Sequence, residues 1–347
     1  MEAEDVVDFL IAAGNCAPSA DNMQPWCFRR EGADLVLAYD HRRFPDSMFP
    51  FDHQATLLSM GAVVENLSLA WTELGMQNSL EASVPLSAPY DFLRMPLGPS
   101  PVQVTHVRSP WQSRHTNRLP FRRSAPLALS DMQIEAAASD AVRVRVIQDR
   151  NEIKQIARLV RSASEIRFRT REIHEWFSQS LRFTPAQVAT GDGLDVATFD
   201  LPPGGRTFLK LITSSWRNMQ RFNLAGGFRL MAAVEASSIT RAGAILAICG
   251  PAGSAGAFAA GRRMQALWIK LNAAGLAVQP YYVISDQLTR LANGKTSAEL
   301  SAETAALHRH AESLFHLEQS TTLHLLLRVG EPVKQPTRAL RLPPSHL

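Results

Sequence analysis

Cysteine is scarce in this chain: three in 347 residues, at Cys16, Cys27 and Cys249. Those spacings form neither a paired-thiol framework nor a metal-ligand pattern, so no disulfide scaffold and no metal site is expected, and a reducing cytoplasm is the expected compartment. No apolar run approaches the ~18 residues that cross a bilayer, so no membrane partner is expected. The opening Met1-Glu2-Ala3-Glu4-Asp5 lacks the cationic start of a secretion signal. Aromatic residues make up only 7%, and charge is nearly balanced, with 36 Lys and Arg against 32 Asp and Glu and a net charge of +4. Basic clusters at 41–43, 114–123, 167–171 and 262–263 carry no nucleic-acid fold signature. They suit the phosphate of a small cofactor better than a nucleic acid. Hydrophobic residues, at 46%, are ample for a core shared along the whole chain.

Two segments carry chemistry. The first is Ala17-Pro18-Ser19-Ala20-Asp21-Asn22-Met23-Gln24-Pro25-Trp26, which follows an amphipathic helical pattern and leads into an apolar strand. A Pro, a Ser and an Asn on a turn closed by Gln-Pro-Trp present polar groups to one face of a flat ligand, with an aromatic wall beside them. The second is Ser113-Arg114-His115-Thr116-Asn117-Arg118-Leu119-Pro120-Phe121. Together they resemble the flavin-facing turn and the basic clamp of the nitroreductase-like FMN oxidoreductases.

That resemblance implies roles. Arg114 would grip a phosphate with its guanidinium fork, beside His115, and Thr116 would offer a hydroxyl to the same group or the ribityl chain. Arg118 would reach the pyrimidine edge of the isoalloxazine. Pro18, Ser19, Ala20, Asn22 and Gln24 would line the other side. In Val278-Gln279-Pro280-Tyr281-Tyr282-Val283 the family's strand-end Pro is kept as Pro280, but Tyr281 and Tyr282 replace the usual Glu-Gly. Near the end, Arg338 and Arg341 match the family's basic tail. The implied cofactor is FMN, with NADPH or NADH as electron donor and a nitro-aromatic or quinone-type small molecule as acceptor, by ping-pong hydride transfer through flavin N5.

The order of the motifs is unusual. In ordinary family members the clamp precedes the turn in each subunit, and two subunits complete each site. Here the turn lies before the clamp, and each portion of the chain lacks what the other keeps. Around Gly61, Leu67 and Gly75 the sequence is matched by Gly261, Leu267 and Gly275 at an offset of 200 residues. The expected fold is α+β, with two nitroreductase-like halves forming an intramolecular pseudo-dimer of mixed or antiparallel sheets flanked by helices. The halves span 1–110 and 111–347, the second with an inserted helical lid at about 150–240. The protein is expected as a monomer built this way or as a homodimer.

Strands are expected at 25–30, 35–40, 77–84, 102–108, 142–148, 243–249, 277–284 and 322–328. Helices are expected at 4–16, 54–74, 130–139, 150–180, 206–235, 255–274 and 297–317. The stretch 181–205 has turn chemistry without a period and reads either as part of an insertion lying over the flavin or as a plain surface excursion. Gly250 to Gly256 has the wrong spacing for a dinucleotide turn and reads as a flexible connection. His308 and His310 point two ways on a helix and read as solvated surface. Three other functions remain open: a lid-covered protein that stores or sequesters FMN, a specialised biosynthetic flavin oxidoreductase, and a cofactor-free partner-binding module.

Overall fold

The computed structural model describes residues 3–45, 47–76, 78–98, 109–122, 127, 129 and 141–343. Helix α1 (Ala3–Asn15) leads through a short turn into the hairpin β1 (Trp26–Glu31) and β2 (Asp34–Tyr39), then α2 (Gln54–Glu73) and β3 (Asp91–Pro96). After α3 (Pro110–Ser113) comes β4 (Arg143–Ile147). A helical region follows: α4 (Arg150–Phe168), α5 (Arg171–Ser180), β5 (Leu181–Arg182), α6 (Pro185–Val188), β6 (Leu194–Asp195), α7 (Gly205–Thr213), α8 (Trp216–Leu224) and α9 (Gly227–Thr240). The chain closes with β7 (Ala244–Pro251), α10 (Ser254–Ala273), β8 (Ala277–Tyr281), α11 (Val283–Ala292), α12 (Ala298–Phe315) and β9 (Thr321–Gly330).

The fold is α+β. One sheet has the antiparallel order β1-β2-β3, a second the antiparallel order β4-β7-β9-β8, and β5 pairs with β6 in parallel. In β7 alternate side chains go to opposite faces, as strand geometry demands. Ala244, Leu246 and Ile248 join the core around α2 and α10, while Ile245, Ala247 and Cys249 join the core under α4, α11 and α12. That double burial explains why β7 reads as an unbroken apolar run.

Helices α2 and α10 pack against each other at the centre. Each is 20 residues long, and they begin and end at the same offset of 200 residues. Their ends are bonded alike. Gly75 N–H donates to the Thr72 carbonyl and Met76 N–H to that of Trp71, while Gly275 donates to Asn272 and Leu276 to Leu271. Gly75 and Gly275 lie at φ of 70° and 80°, the left-handed stop that only glycine takes freely.

Several sequence expectations shift. The strand expected at 77–84 is reduced to an isolated bridge, Ala82 with Leu93, while β3 forms in a stretch that carried no motif. The strand expected to run to 284 stops at Tyr281, and a helix starts at Val283. The helix expected over 150–180 breaks where Thr170 turns extended, and that over 206–235 is three helices. The stretch 181–205 is ordered into short elements rather than a loop. Gly250 to Gly256 spans the end of β7, a two-residue turn at Ala252 and Gly253, and the start of α10. The expected strand 102–108, the expected helix 130–139 and Arg123 lie outside the described residues.

Candidate functional site

The turn after α1 is strained in a way its sequence hides. Asp21, Asn22 and Gln24 all have positive φ, at 48°, 57° and 52°. Asp and Asn tolerate that region; Gln does not, and each such residue costs about 1–3 kcal/mol. Local bonds hold the shape: Ser19 Oγ accepts from Gln24 N–H at 2.9 Å, and Trp26 Nε1 donates to Asn15 Oδ1 at 2.9 Å. Strain kept in place by its surroundings marks a candidate functional turn.

The clamp segment meets this turn. Arg114, at the end of α3, is buried and donates from Nε and Nη2 to the Cys16 carbonyl at 3.1 and 2.9 Å, across 98 residues of sequence. Its guanidinium carbon lies 4.9 Å from the Trp268 ring centroid. His115 is fixed by its backbone, which donates N–H to Asn272 Oδ1 at 2.8 Å and accepts from Trp268 Nε1 at 3.0 Å. Thr116 is half-buried beside it. Asn117, which sequence reasoning passed over, ties the segment to β8 by donating its N–H to the Val278 carbonyl at 2.9 Å.

The basic tail joins the same place. Arg341 donates to Asn22 Oδ1, and Arg338, exposed, donates to the Gln112 carbonyl at 2.8 Å and that of Ser113 at 3.4 Å. Arg114, Arg338 and Arg341 therefore converge near Cys16. Among the described residues none of the three has a carboxylate as hydrogen-bond partner. Burial, reinforced by Arg341, pushes the Arg114 guanidinium down to about 9. Burial pushes Arg341 down to about 10. Both remain protonated at neutral pH, so the fold holds uncompensated positive charge that an anion would relieve. The Cys16 thiol is pushed up by burial, which outweighs the three arginines.

Arg118 stands at the other end. It donates to Thr198 Oγ1 at 3.4 Å, lies 5.6 Å from the Phe199 ring centroid, and has Asp21 and Tyr281 within electrostatic reach. Asp21 Oδ2 accepts from Trp176 Nε1 at 2.9 Å, and burial raises its carboxyl above the ordinary range. Pro280 pairs with Leu327 in the sheet and Tyr281 is buried beside it. The Tyr282 hydroxyl donates to Gln54 Oε1 at 3.0 Å. The structure thus gathers the turn, Arg114, Arg118, Tyr281 and the tail arginines, and leaves Tyr282 with the start of α2.

The 181–205 stretch and the C-terminal tail lie against the turn. The Gly191 carbonyl accepts from Gln24 Nε2 at 3.0 Å and Asn22 Nδ2 at 3.4 Å. Asn22 Nδ2 also donates to the Leu340 carbonyl at 3.1 Å, and Gln24 Oε1 accepts from Leu342 N–H at 3.0 Å. The amides expected to face a flat ligand are thus engaged by the protein itself. Sequence reasoning missed Asp21, Trp176, Gly191, Thr198 and Phe199 as members of the site. Gly191-Asp192-Gly193, inside an aperiodic stretch, was the signal for a tight contact there.

No family model matches the chain. An uncharacterized protein of Mycobacterium tuberculosis, MT1398, is 27% identical over 297 residues, 80% of this chain; the chain spans 39% of that relative's length. Solved structures similar to it include oxidized iodotyrosine deiodinase bound to FMN and 3-iodo-L-tyrosine, at 17% identity and TM-score 0.34, covering 66% of this chain and 90% of the other. NfrA2 of B. megaterium is 15% identical with TM-score 0.35, covering 67% and 69%. An FMN- and NADPH-dependent nitroreductase, NfnB, from a sphigopyxis strain, is 15% identical with TM-score 0.35, covering 69% and 95%. Within the chain itself, the turn after α1 and the Arg114–Arg118 segment meet at the Cys16 carbonyl.

Proposed function

We propose that the chain binds one FMN between its two halves, which pair internally through α2 and α10, and acts as a flavin-dependent oxidoreductase. The observation that supports this most is the bond from the Arg114 fork to the Cys16 carbonyl, which joins clamp and turn, with Arg338 and Arg341 beside it. A cationic donor set with only carbonyl and amide oxygens as partners fits a phosphate monoester. When bound, FMN supplies hydride chemistry at its N5. Arg114, Arg338 and Arg341 would hold the phosphate and Thr116 the chain next to it. Arg118, kept cationic opposite Asp21, would stabilise negative charge arriving at the pyrimidine edge. Trp176 and Ser180 hold the Asp21 carboxyl in place, at 2.9 and 3.5 Å from the same oxygen. NADPH or NADH would be the donor and a nitro-aromatic or quinone-type molecule the acceptor.

The closed cover favours a second reading, in which FMN is held and shielded rather than used for general reduction. Gly191 bonded to both Asn22 and Gln24, with Leu340 and Leu342 alongside, keeps both of those amides occupied by the protein itself. One experiment separates the readings. The purified chain is reconstituted with FMN, its visible spectrum recorded, and the complex titrated anaerobically with NADH and with NADPH. Stoichiometric uptake followed by rapid bleaching supports the oxidoreductase; uptake without bleaching supports sequestration; no uptake overturns both.

A further inference from the structure

We infer that the surface formed by α7, α8 and α9 docks on an anionic lipid bilayer, lying on its face rather than crossing it. The charge of the chain is concentrated there. Residues 201–241 contain Arg206, Lys210, Arg217, Arg221, Arg229 and Arg241 against a single acid, Glu235, while the whole chain carries only +4. Those six basic residues are exposed. Glu235 is turned inward, accepting from Ser164 Oγ at 2.6 Å and Arg167 Nη2 at 2.8 Å, so it does not neutralise the surface.

The same surface is apolar. Of the five most exposed large hydrophobic side chains among the described residues, four are here: Leu224 at 90%, Val234 at 63%, Leu230 at 62% and Leu211 at 60%. Cations share the surface with them. On α8, Arg217, Arg221 and Leu224 fall on one helical face; on α7, Arg206 and Lys210 share a face and Leu211 follows them at the helix end. The helices are not loose. Phe208 and Phe222 pack edge to face at 5.0 Å, Asn223 Nδ2 donates to the Phe168 carbonyl at 2.9 Å, and Ala232, Ala236 and Ile239 bury α9 against α4. A rigid support therefore holds leucine tips and guanidinium groups outward together.

Basic helices of low net hydrophobicity with outward apolar side chains partition into the headgroup region, where cations meet lipid phosphate and leucines enter the acyl boundary. A second copy of this chain is a poor occupant, because two such surfaces repel. A nucleic acid offers phosphate but nothing for Leu224 or Leu211 to bury against. This inference is independent of the flavin reading.

The test is co-sedimentation of the full chain with phosphatidylcholine vesicles, with and without phosphatidylglycerol. Binding is expected only to the phosphatidylglycerol vesicles, and to fall with added salt. Arg217→Glu with Arg221→Glu is expected to weaken it at least about tenfold. Leu211→Ser with Leu224→Ser, which leaves the charge unchanged, is expected to weaken it as well. Unchanged thermal unfolding of both variants shows that the fold is intact. Absence of binding, equal binding to neutral vesicles, or binding that survives the leucine pair overturns the inference. So does tight association with duplex DNA that is lost with the arginine pair, or a concentration-dependent dimer lost with the leucine pair.

Discussion

Gly61 of α2 and Gly261 of α10 stand against each other where the two helices cross. A Cβ added at Gly61 would lie 2.1 Å from the Phe258 carbonyl oxygen, and one at Gly261 would lie 2.2 Å from that of Leu58. Around the crossing, Gln265 Nε2 donates to Asn66 Oδ1 at 2.6 Å and Arg262 Nε to Glu65 Oε2 at 3.1 Å. Alanine inside a helix normally gains about 1 kcal/mol over glycine. Here the obstacle is a backbone carbonyl in each partner, so the helices must separate along a densely packed seam. Overpacking of that kind costs about 1–3 kcal/mol even where side chains can yield. Gly61→Ala and Gly261→Ala are therefore each expected to lower stability by about 2 kcal/mol or more in urea unfolding. A gain in stability would show that the seam opens freely.

Much of this seam was legible beforehand, because glycine and leucine at matching offsets are a property of the sequence. The strands β1, β2, β4, β7 and β9 were legible too, since their apolar runs are bounded by turn residues. The turn and clamp were readable as motifs, and the bond from Arg114 to Cys16 unites them. What stayed hidden depends on distant neighbours. Positive φ at Gln24 is held locally by Ser19 Oγ and, from far along the chain, by Gly191 and Leu342, which bond both ends of its amide. The Thr170 break was masked because α4 and α5 continue one amphipathic pattern, and the strand was carried past Tyr281 because helix α11 follows β8 at once.

Arg114 offers the direct test of the cofactor proposal. If its fork holds a phosphate, charge-assisted bonds of about 1.5–3 kcal/mol are lost with Arg114→Met, which raises the FMN Kd by roughly tenfold to a hundredfold. Arg114→Lys keeps the charge without the fork and is expected to recover only part of the loss. Arg338→Gln, at an exposed position, is expected to give a smaller and more salt-sensitive effect. Isothermal titration with FMN, run beside thermal unfolding, distinguishes lost binding from lost folding. Unchanged affinity in Arg114→Met would remove Arg114 from the phosphate site.

Two buried groups pull the pH dependence in opposite directions. His324 Nε2 faces the Pro251 carbonyl at 3.1 Å, so it donates there, and Nδ1 accepts from Gln54 Nε2 at 3.1 Å. This neutral ring has no room for a second proton, and burial pulls it from 6.5 to about 4. The unfolded chain binds a proton below 6.5 that the folded one refuses until about 4, so stability falls as pH drops through that window. Asp286 is raised by burial from 3.8 to about 6, with Arg290 and Arg167 opposing. Folded Asp286 takes its proton first, so its contribution grows as pH falls from about 6 to 3.8. Between pH 7 and pH 5, His324→Gln is expected to shift the stability difference by about 2 kcal/mol toward the acid side, and Asp286→Asn by about 1 kcal/mol the other way. Urea midpoints at the two pH values measure both, and shifts of the same sign would refute the assignment.

Gly191 ties the 181–205 stretch to the turn. Its φ is 81°, and a Cβ there would lie 2.4 Å from the Arg341 carbonyl oxygen, so tail and cover meet over the turn with no space for a methyl group. Gly191→Ala combines left-handed strain with a backbone clash, and the surface contacts are cheaper to release than the core. The cover or the tail should therefore lift while α2 and α10 remain packed, freeing Asn22 and Gln24. In FMN-loaded protein this is expected to speed flavin release by about tenfold, corresponding to about 1.4 kcal/mol of lost closure. It should also expose 181–205 to limited proteolysis, with the main unfolding transition little changed. If the chain shields its flavin, the same substitution should make reduction by NADH or NADPH faster even as the flavin is held less tightly. If it is a freely accessible reductase, the reduction rate should stay as it was. Slower flavin release in Gly191→Ala would mean that the 181–205 segment is not a cover.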